Sequence, residues 1–470
     1  MTTALFDRFL STPAMAETFG DAALVQAMLD VEAALARAQA LEGVIPAQAA
    51  APIAAACQVG NIDLDALVRD GSIAGTLVIP LIRQLTAKVA ATDATAAGSV
   101  HWGTTSQDVL DTAMVLCTRR AVALLDASLG DLVRRLCALA ETHADAPILG
   151  RTLLQPALVI SVGFKLLSWV APLVRARARL RAGADAALQL QLGGAVGTLS
   201  VMGEAGPRVA RRMAADLNLG LAPGAWHTQR DAWIGLGCDV GLLCGTLGKI
   251  ATDLALLTQG EVGELAEPSG GGRGGSSAMP HKRNPVASMI ALAAAARAPH
   301  RVGALLACMA QAHERGLGDW QAELAEWPGL FLSAHGAVSA LAEAAAGLTV
   351  DTARMRRNID ALQGLVHAEA ASMLLARHIG KARAQALLET LSRQAVSAGR
   401  PLLDLTREAV AATATLGAKI DAAELTAAFD PDAVARQASA IARPQWDELR
   451  RQAAALDAAV PERFNVSLPQ

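Results

Sequence analysis

From Asp231 to Gln259 the chain carries Leu236, Val240, Leu243, Leu247, Ile250, Leu254 and Leu257 three or four positions apart, with Gly237, Gly241 and Gly245 forming a second row at intervals of four. That recurrence marks an α-helix, and a helix apolar on nearly all sides has to be enclosed by other helices. The glycine row lets a neighbouring helix come close. Asp239, Lys249 and Asp253 interrupt the run, so burial in a helical bundle is a better expectation than a membrane span. Two more segments have the same character, one from about Val109 to Ala144 and one from Pro156 towards Gln191, where Pro172 predicts a kink. Such a segment would reach roughly 50 Å at 1.5 Å per residue.

Ala and Leu dominate, Tyr is absent and Phe occurs only seven times, so the alternation of β-branched and aromatic residues expected of strands is scarce. The expected fold class is all-α, with a central bundle of long helices. A chain of 470 residues is too long for one simple core, which predicts an N-terminal helical domain over 1–108, the central bundle over 109–350 and a C-terminal helical domain over 351–470. Within the first of these, Asp21 is placed to cap a helix bearing Leu24, Met28, Val31, Leu35 and Ala38, which Gly43 and Pro46 stop.

A net charge of −3 provides no basic footprint for nucleic acid. Cysteines 57, 117, 137, 238, 244 and 308 lie in apolar helical segments with no C-x-x-C pair, and read as reduced core residues. The nine His show no ligand spacing, so neither metal nor organic cofactor is expected. The first residues lack a basic region followed by an apolar run, which predicts a cytoplasmic location.

One stretch cannot be explained by folding. Gly270 to Gly275 holds five glycines and Arg273, and Ser276, Ser277, His281, Lys282, Arg283 and Asn284 follow within nine positions, closed by Pro280 and Pro285. Glycines here allow backbone conformations barred to other residues and expose main-chain N–H groups, as befits a loop that holds an anion. Gly270, Gly272 and Gly275 satisfy a dinucleotide fingerprint, but a helix rather than a strand leads in; Ser276 stands where a phosphate-binding loop needs Lys. A second polar stretch, Val100 to Thr112, puts His101, Thr105 and Ser106 just before a long helix, where hydroxyls cap and where anions bind.

The eleven residues Gly275 to Pro285, Gly-Ser-Ser-Ala-Met-Pro-His-Lys-Arg-Asn-Pro, resemble the signature loop of the fumarase/aspartase superfamily. The resemblance implies that Ser276 is the general base removing a proton next to a carboxylate, that Lys282 and Asn284 hold that carboxylate, and that His281 lies beside it. It further implies that Thr105 and Ser106 bind substrate carboxylate, with His101 a lesser candidate, and that the fold is a helical homotetramer whose active sites are each built by three chains. Gly150 to Ala157 is similar to the second conserved region, which supplies Gln155, and Gly194 to Thr198 to a glycine turn of the adenylosuccinate lyase branch.

Trp226 to Asp231, Glu261 to Pro268 and His313 to Gln321 look more like the cycloisomerase branch, and add His227, Arg230 and Arg315 as candidate partners for substrate carboxylates. That branch implies a small tricarboxylate diene as substrate, 3-carboxy-cis,cis-muconate, closed to a γ-lactone in protocatechuate breakdown. An adenylosuccinate-type lyase releasing fumarate, or a catalytically silent structural member, are the alternatives. The second region departs from the lyase pattern Thr-His-Gly-Gln, reading Thr152, Leu153, Leu154 and Gln155.

Overall fold

The computed structural model describes residues 5–413 and 420–464. The first long helix, α1 (Asp21–Leu41), is capped by Gly20 rather than by Asp21, which sits in its first turn, and ends where Gly43 takes a φ of +71°. It lies in a core with Ile53, Leu67, Leu81 and Leu85 from the short helices that follow, and with Val109, Ala113 and Leu116. Those last three belong to α2 (Ser106–Thr142), at whose start the Asp108 carboxylate accepts from Thr105 N at 3.1 Å.

The bundle forms from α2, α3 (Val162–Ala187), α4 (Asp231–Thr258), α5 (Val286–Ala307) and α6 (Asp319–Ala346). Aromatic side chains bind it across its width. Trp233 of α4 stacks on Trp327 of α6 with centroids 4.0 Å apart, and Trp327 Nε1 donates to Thr118 Oγ1 of α2 at 2.8 Å. Trp169 Nε1 of α3 donates to Asp253 of α4 at 2.8 Å. The helices α4 and α6 are long and apolar enough by composition to cross a membrane, yet both pack inside this bundle.

The glycine row works as expected at two of its three positions. A Cβ on Gly241 would fall 2.5 Å from Val302 of α5 and one on Gly237 3.1 Å from Leu305, so α5 packs against the backbone there. Gly245 faces open space, and the third close approach passes to Gly248, 2.5 Å from Ala295.

The second long segment needs correction. The predicted helix from Pro156 begins only at Val162, where the Ser161 side chain accepts from Phe164 N at 3.0 Å. Before it, β1 (Pro147–Thr152) and β2 (Gln155–Ser161) form an antiparallel hairpin with Thr152 opposite Gln155. Leu158, Val159 and Ile160 suit either state; Pro156, which cannot donate a hydrogen bond, is tolerated near the hairpin's turn. The remaining strands are two-residue pieces, Gln189–Leu190 beside Gly220–Leu221 and Leu265–Ala266 beside Thr349–Val350.

Beyond the bundle, Ala371, Leu375, Leu388 and Leu402 centre a separate small core. The long helix α7 (Pro431–Ala458) returns to the bundle, where Arg177 binds both Asp126 and Asp457. Burial opposes the charge on Asp126, but hydrogen bonds from Arg181 and Arg177 outweigh it and hold the carboxyl below its usual range. All six cysteines are free, and burial pushes the thiols of Cys57, Cys117 and Cys244 up to about 12.

Candidate active site

The candidate residues gather in three places. The first surrounds the start of α2, where the buried Asp108 carboxylate accepts from Thr104 Oγ1, Thr105 N, Gly193 N, Gly194 N and His227 Nε2 at 2.7–3.1 Å. Asp108 thereby joins the stretch at Thr105 to the glycine turn and to the segment before α4. Close approach of that turn depends on glycine, since a Cβ on Gly193 would stand 2.6 Å from Ala225 Cβ and 3.0 Å from His227 Cε1. Thr105 and Ser106 stay half-buried at the helix N-terminus, where main-chain N–H groups favour an anion.

Arg315 arrives from a loop. Its guanidinium donates to Thr105 Oγ1 and, at 3.3 Å, to Gln107 Oε1. It has no carboxylate partner among the described residues, so its charge remains available to a ligand. His101, at φ +58°, is bonded through Nδ1 to Glu32 Oε1 at 2.6 Å. Burial disfavours its charged form, but the charge and hydrogen bond of Glu32, with the charge of Asp108, raise its pKa above the ordinary imidazole value.

Two of the expected substrate ligands are held by carboxylates of their own chain. The Arg230 side chain is 1% exposed and is flanked by Asp111 and Glu323, with Nη1 2.8 Å from Asp111 Oδ2. The guanidinium also lies 4.6 Å from the centroid of Trp226. Two carboxylates already neutralise it, and it braces α2, α4 and α6. His227 is likewise buried against Asp108. Sequence reading missed the acidic partners Asp108, Asp111, Glu323 and Glu32. Only Asp108 left a local signal, its position three residues after Thr105 in a Thr-x-x-Asp capping pattern.

The second place is the glycine loop. Its ends are drawn together by Asn284 N donating to Gly274 O at 2.8 Å; a Cβ on Gly274, at φ +68°, would stand 2.6 Å from Asn284 O. At the stem, Glu267 accepts from Ala287 N, Ser288 N and Ser288 Oγ, capping α5 and anchoring the loop's exit. Within the loop Ser276 is half-buried, and its Oγ accepts from Met279 N at 3.1 Å and Ala278 N at 3.4 Å. Main-chain donors thus already face the oxygen that a base would have to ionise. Lys282 and His281 are exposed, Lys282 has no ion-pair partner among the described residues, and Asn284 Nδ2 lies 3.5 Å from Gly275 O.

The third place is the tip of the β1–β2 hairpin, where Gln155 is exposed beside Leu153 and Leu154, which are 96% and 70% exposed. Arg151, next to the tip, is paired with Glu264 at 2.7 Å.

One chain does not unite these places. The helix α4 has 28 residues and is about 40 Å long at 1.5 Å per residue. His227 precedes its start, together with Thr105, Asp108 and Arg315; the loop and the Arg151–Glu264 pair lie beyond its end, where Arg273 also reaches Glu343 near the end of α6. The Thr105 cluster and Ser276 therefore stand at opposite ends of the bundle.

A family model described as a lyase matches residues 8–299. The chain is 45% identical to the 3-carboxy-cis,cis-muconate cycloisomerase of Bradyrhizobium diazoefficiens, covering 94% of this chain and 97% of the relative. It is 40% identical to the nitrosuccinate lyase of Streptomyces davaonensis, covering 91% and 92%. The crystal structure of the 3-carboxy-cis,cis-muconate lactonizing enzyme from Pseudomonas putida superposes with a TM-score of 0.87 at 40% identity, over 98% of this chain and all of that one. The loop from Gly275 to Pro285, the all-helical bundle and these relatives agree, and the chain belongs to this lyase family, the fumarase/aspartase superfamily.

Proposed function

We propose that the protein is a 3-carboxy-cis,cis-muconate cycloisomerase, forming a γ-lactone from a conjugated tricarboxylate in the bacterial breakdown of aromatic acids. Beyond the relatives, one observation carries this reading: the hairpin tip presents Leu153 and Leu154, which can neither donate nor accept a proton through their side chains. In the reverse direction a base removes the proton beside a carboxylate, an enediolate-like intermediate forms, and the ring carboxylate leaves. An amine leaving group would need protonation, whereas a carboxylate with a reference pKa of about 4 leaves as a stable anion. Ser276 is the proposed base, and Lys282, Asn284 and the loop amides take the charge that develops on the reacting carboxylate. Thr105, Ser106, His101 and Arg315 receive the other carboxylates, with His281 and Gln155 as further contacts.

The deciding experiment adds 3-carboxy-cis,cis-muconate and follows diene absorbance in the ultraviolet. Loss of the absorbance is expected, with no fumarate released from adenylosuccinate or argininosuccinate; the opposite pair of results would sink the reading. A second reading, a lyase whose leaving group departs as a stable anion, fits the same apolar tip and is favoured by the likeness to the nitrosuccinate lyase.

The separation of the two clusters supports a homotetramer in which the loop of one chain meets the Thr105 cluster of another, within the three-domain division expected from the sequence. Leu242 of α4 and Met289 and Leu306 of α5 are 58%, 55% and 49% exposed, an apolar face that a further copy would cover. Light scattering should return the mass of four 48.4 kDa chains, and a monomer at micromolar concentration would contradict the assembly.

A further inference from the structure

Glu32 lies in the middle of α1 among buried Met28, Val31, Leu35 and Ala36, and is itself 1% exposed. Its Oε1 meets His101 Nδ1 at 2.6 Å, while its buried Oε2 has no hydrogen-bond partner. A carboxylate so enclosed is unfavourable unless a cation answers it, and His101 is the ionisable group bonded to it. The same helix grips the next residue, Gln39 Nε2 donating to Trp102 O at 2.6 Å, so α1 fixes both the ring and the backbone of a turn in which His101 takes a left-handed φ of +58°. The ring keeps 21% of its surface exposed, four residues before Thr105.

We propose that Glu32 is a positioning residue for substrate binding: it holds the His101 ring by Nδ1 and supplies the buried negative charge against which that ring serves as a cation for one substrate carboxylate. The proposal rests on the reading of this protein as an enzyme acting on a polycarboxylate. Simple pinning of the ring would not call for a charge, because a neutral glutamine could bond the imidazole without leaving an ionised oxygen unsatisfied. The charged groups acting on the ring are Glu32 from α1 and Asp108 from α2. Of these, Asp108 is already committed to its five donors. Glu32 is therefore the group whose charge is directed to His101.

The test is Glu32→Gln, which keeps the shape and removes the charge. Near neutral pH its KM for 3-carboxy-cis,cis-muconate should rise about tenfold with kcat nearly kept, because a buried imidazole without its carboxylate loses its proton at lower pH than in the wild type. As the pH falls far enough to protonate the ring with or without Glu32, the two KM values should converge. In histidine-selective 13C NMR, His101, assigned from the spectrum of His101→Asn, should titrate at lower pH in Glu32→Gln than in the wild type. A KM equal to wild type throughout this range, or a His101 titration that does not move, would overturn the proposal. If the wild type does not consume the diene, the reading of function fails, while the titration still decides whether Glu32 sets the charge of His101.

Discussion

Ser276→Ala should lower turnover by three to four orders of magnitude, with KM within a few-fold of wild type and the thermal midpoint unchanged. The side chain is half-buried in a loop and belongs to no apolar cluster, so removing one hydroxyl costs little in packing. What it removes is the only atom in the proposed mechanism that accepts the proton. An alcohol is a poor base unless its ionised form is stabilised, and the structure supplies part of that stabilisation from Met279 N and Ala278 N, which already point at Oγ. The donors are main-chain groups, so no single side-chain replacement imitates their loss. Lys282→Ala provides the contrast: it removes an exposed charge that meets the carboxylate in both ground and transition states, so it should raise KM as well as lower kcat. Near-native turnover in Ser276→Ala, checked by steady-state kinetics on correctly assembled protein, would mean that another group takes the proton.

The parts of this molecule that could be read from its sequence are those whose cause is local. Apolar spacing in α4 and the cluster of glycines and reactive groups before Pro285 need no knowledge of distant residues, and the bundle and the loop were both legible from them. The start of α3 was not, because Val159 and Ile160 are compatible with strand and helix alike, and only pairing with Leu149 and Ile148 decides between them. The surroundings of Arg230 were not legible for a related reason. Its neighbours in sequence, His227 to Asp231, look like a polar surface turn, while the carboxylates that neutralise it come from Asp111 and Glu323, about 90 to 120 residues away. A buried cation cannot be told from a substrate-binding one until its counter-charges are located. Glu32 was hidden in the same way, as one of three acidic positions in α1 with Asp21 and Asp30, two residues from the latter.

Replacing Leu153-Leu154 by Asn-Gly should leave the fold as stable as before or more so, and should reduce kcat/KM for the muconate about a hundredfold. The hairpin closes on these two residues, which have φ of +51° and +65°. Left-handed backbone costs an ordinary L-residue about 1 kcal/mol or more, and two-residue hairpins that need it at both positions favour Asn-Gly. Leucine is therefore a poor choice for the turn itself. It is also a poor choice for a single chain in water, since neither side chain is covered by its own subunit. Two unfavourable choices at adjacent positions point to a gain elsewhere, and in the proposed assembly packing against the carbon skeleton of the substrate would supply one. Burial of a leucine side chain stabilises by about 1.5–3 kcal/mol, so two positions supply about 3–6 kcal/mol, of which a hundredfold loss of activity requires about 2.7 kcal/mol to be expressed in the transition state. The double variant separates the two roles, because the turn improves while the apolar contact vanishes. Denaturation midpoint, assembled mass and steady-state kinetics are the measurements. An unaltered kcat/KM in a properly assembled variant would remove the hairpin tip from the active site and with it the structural argument for lactone chemistry over an amine-expelling lyase.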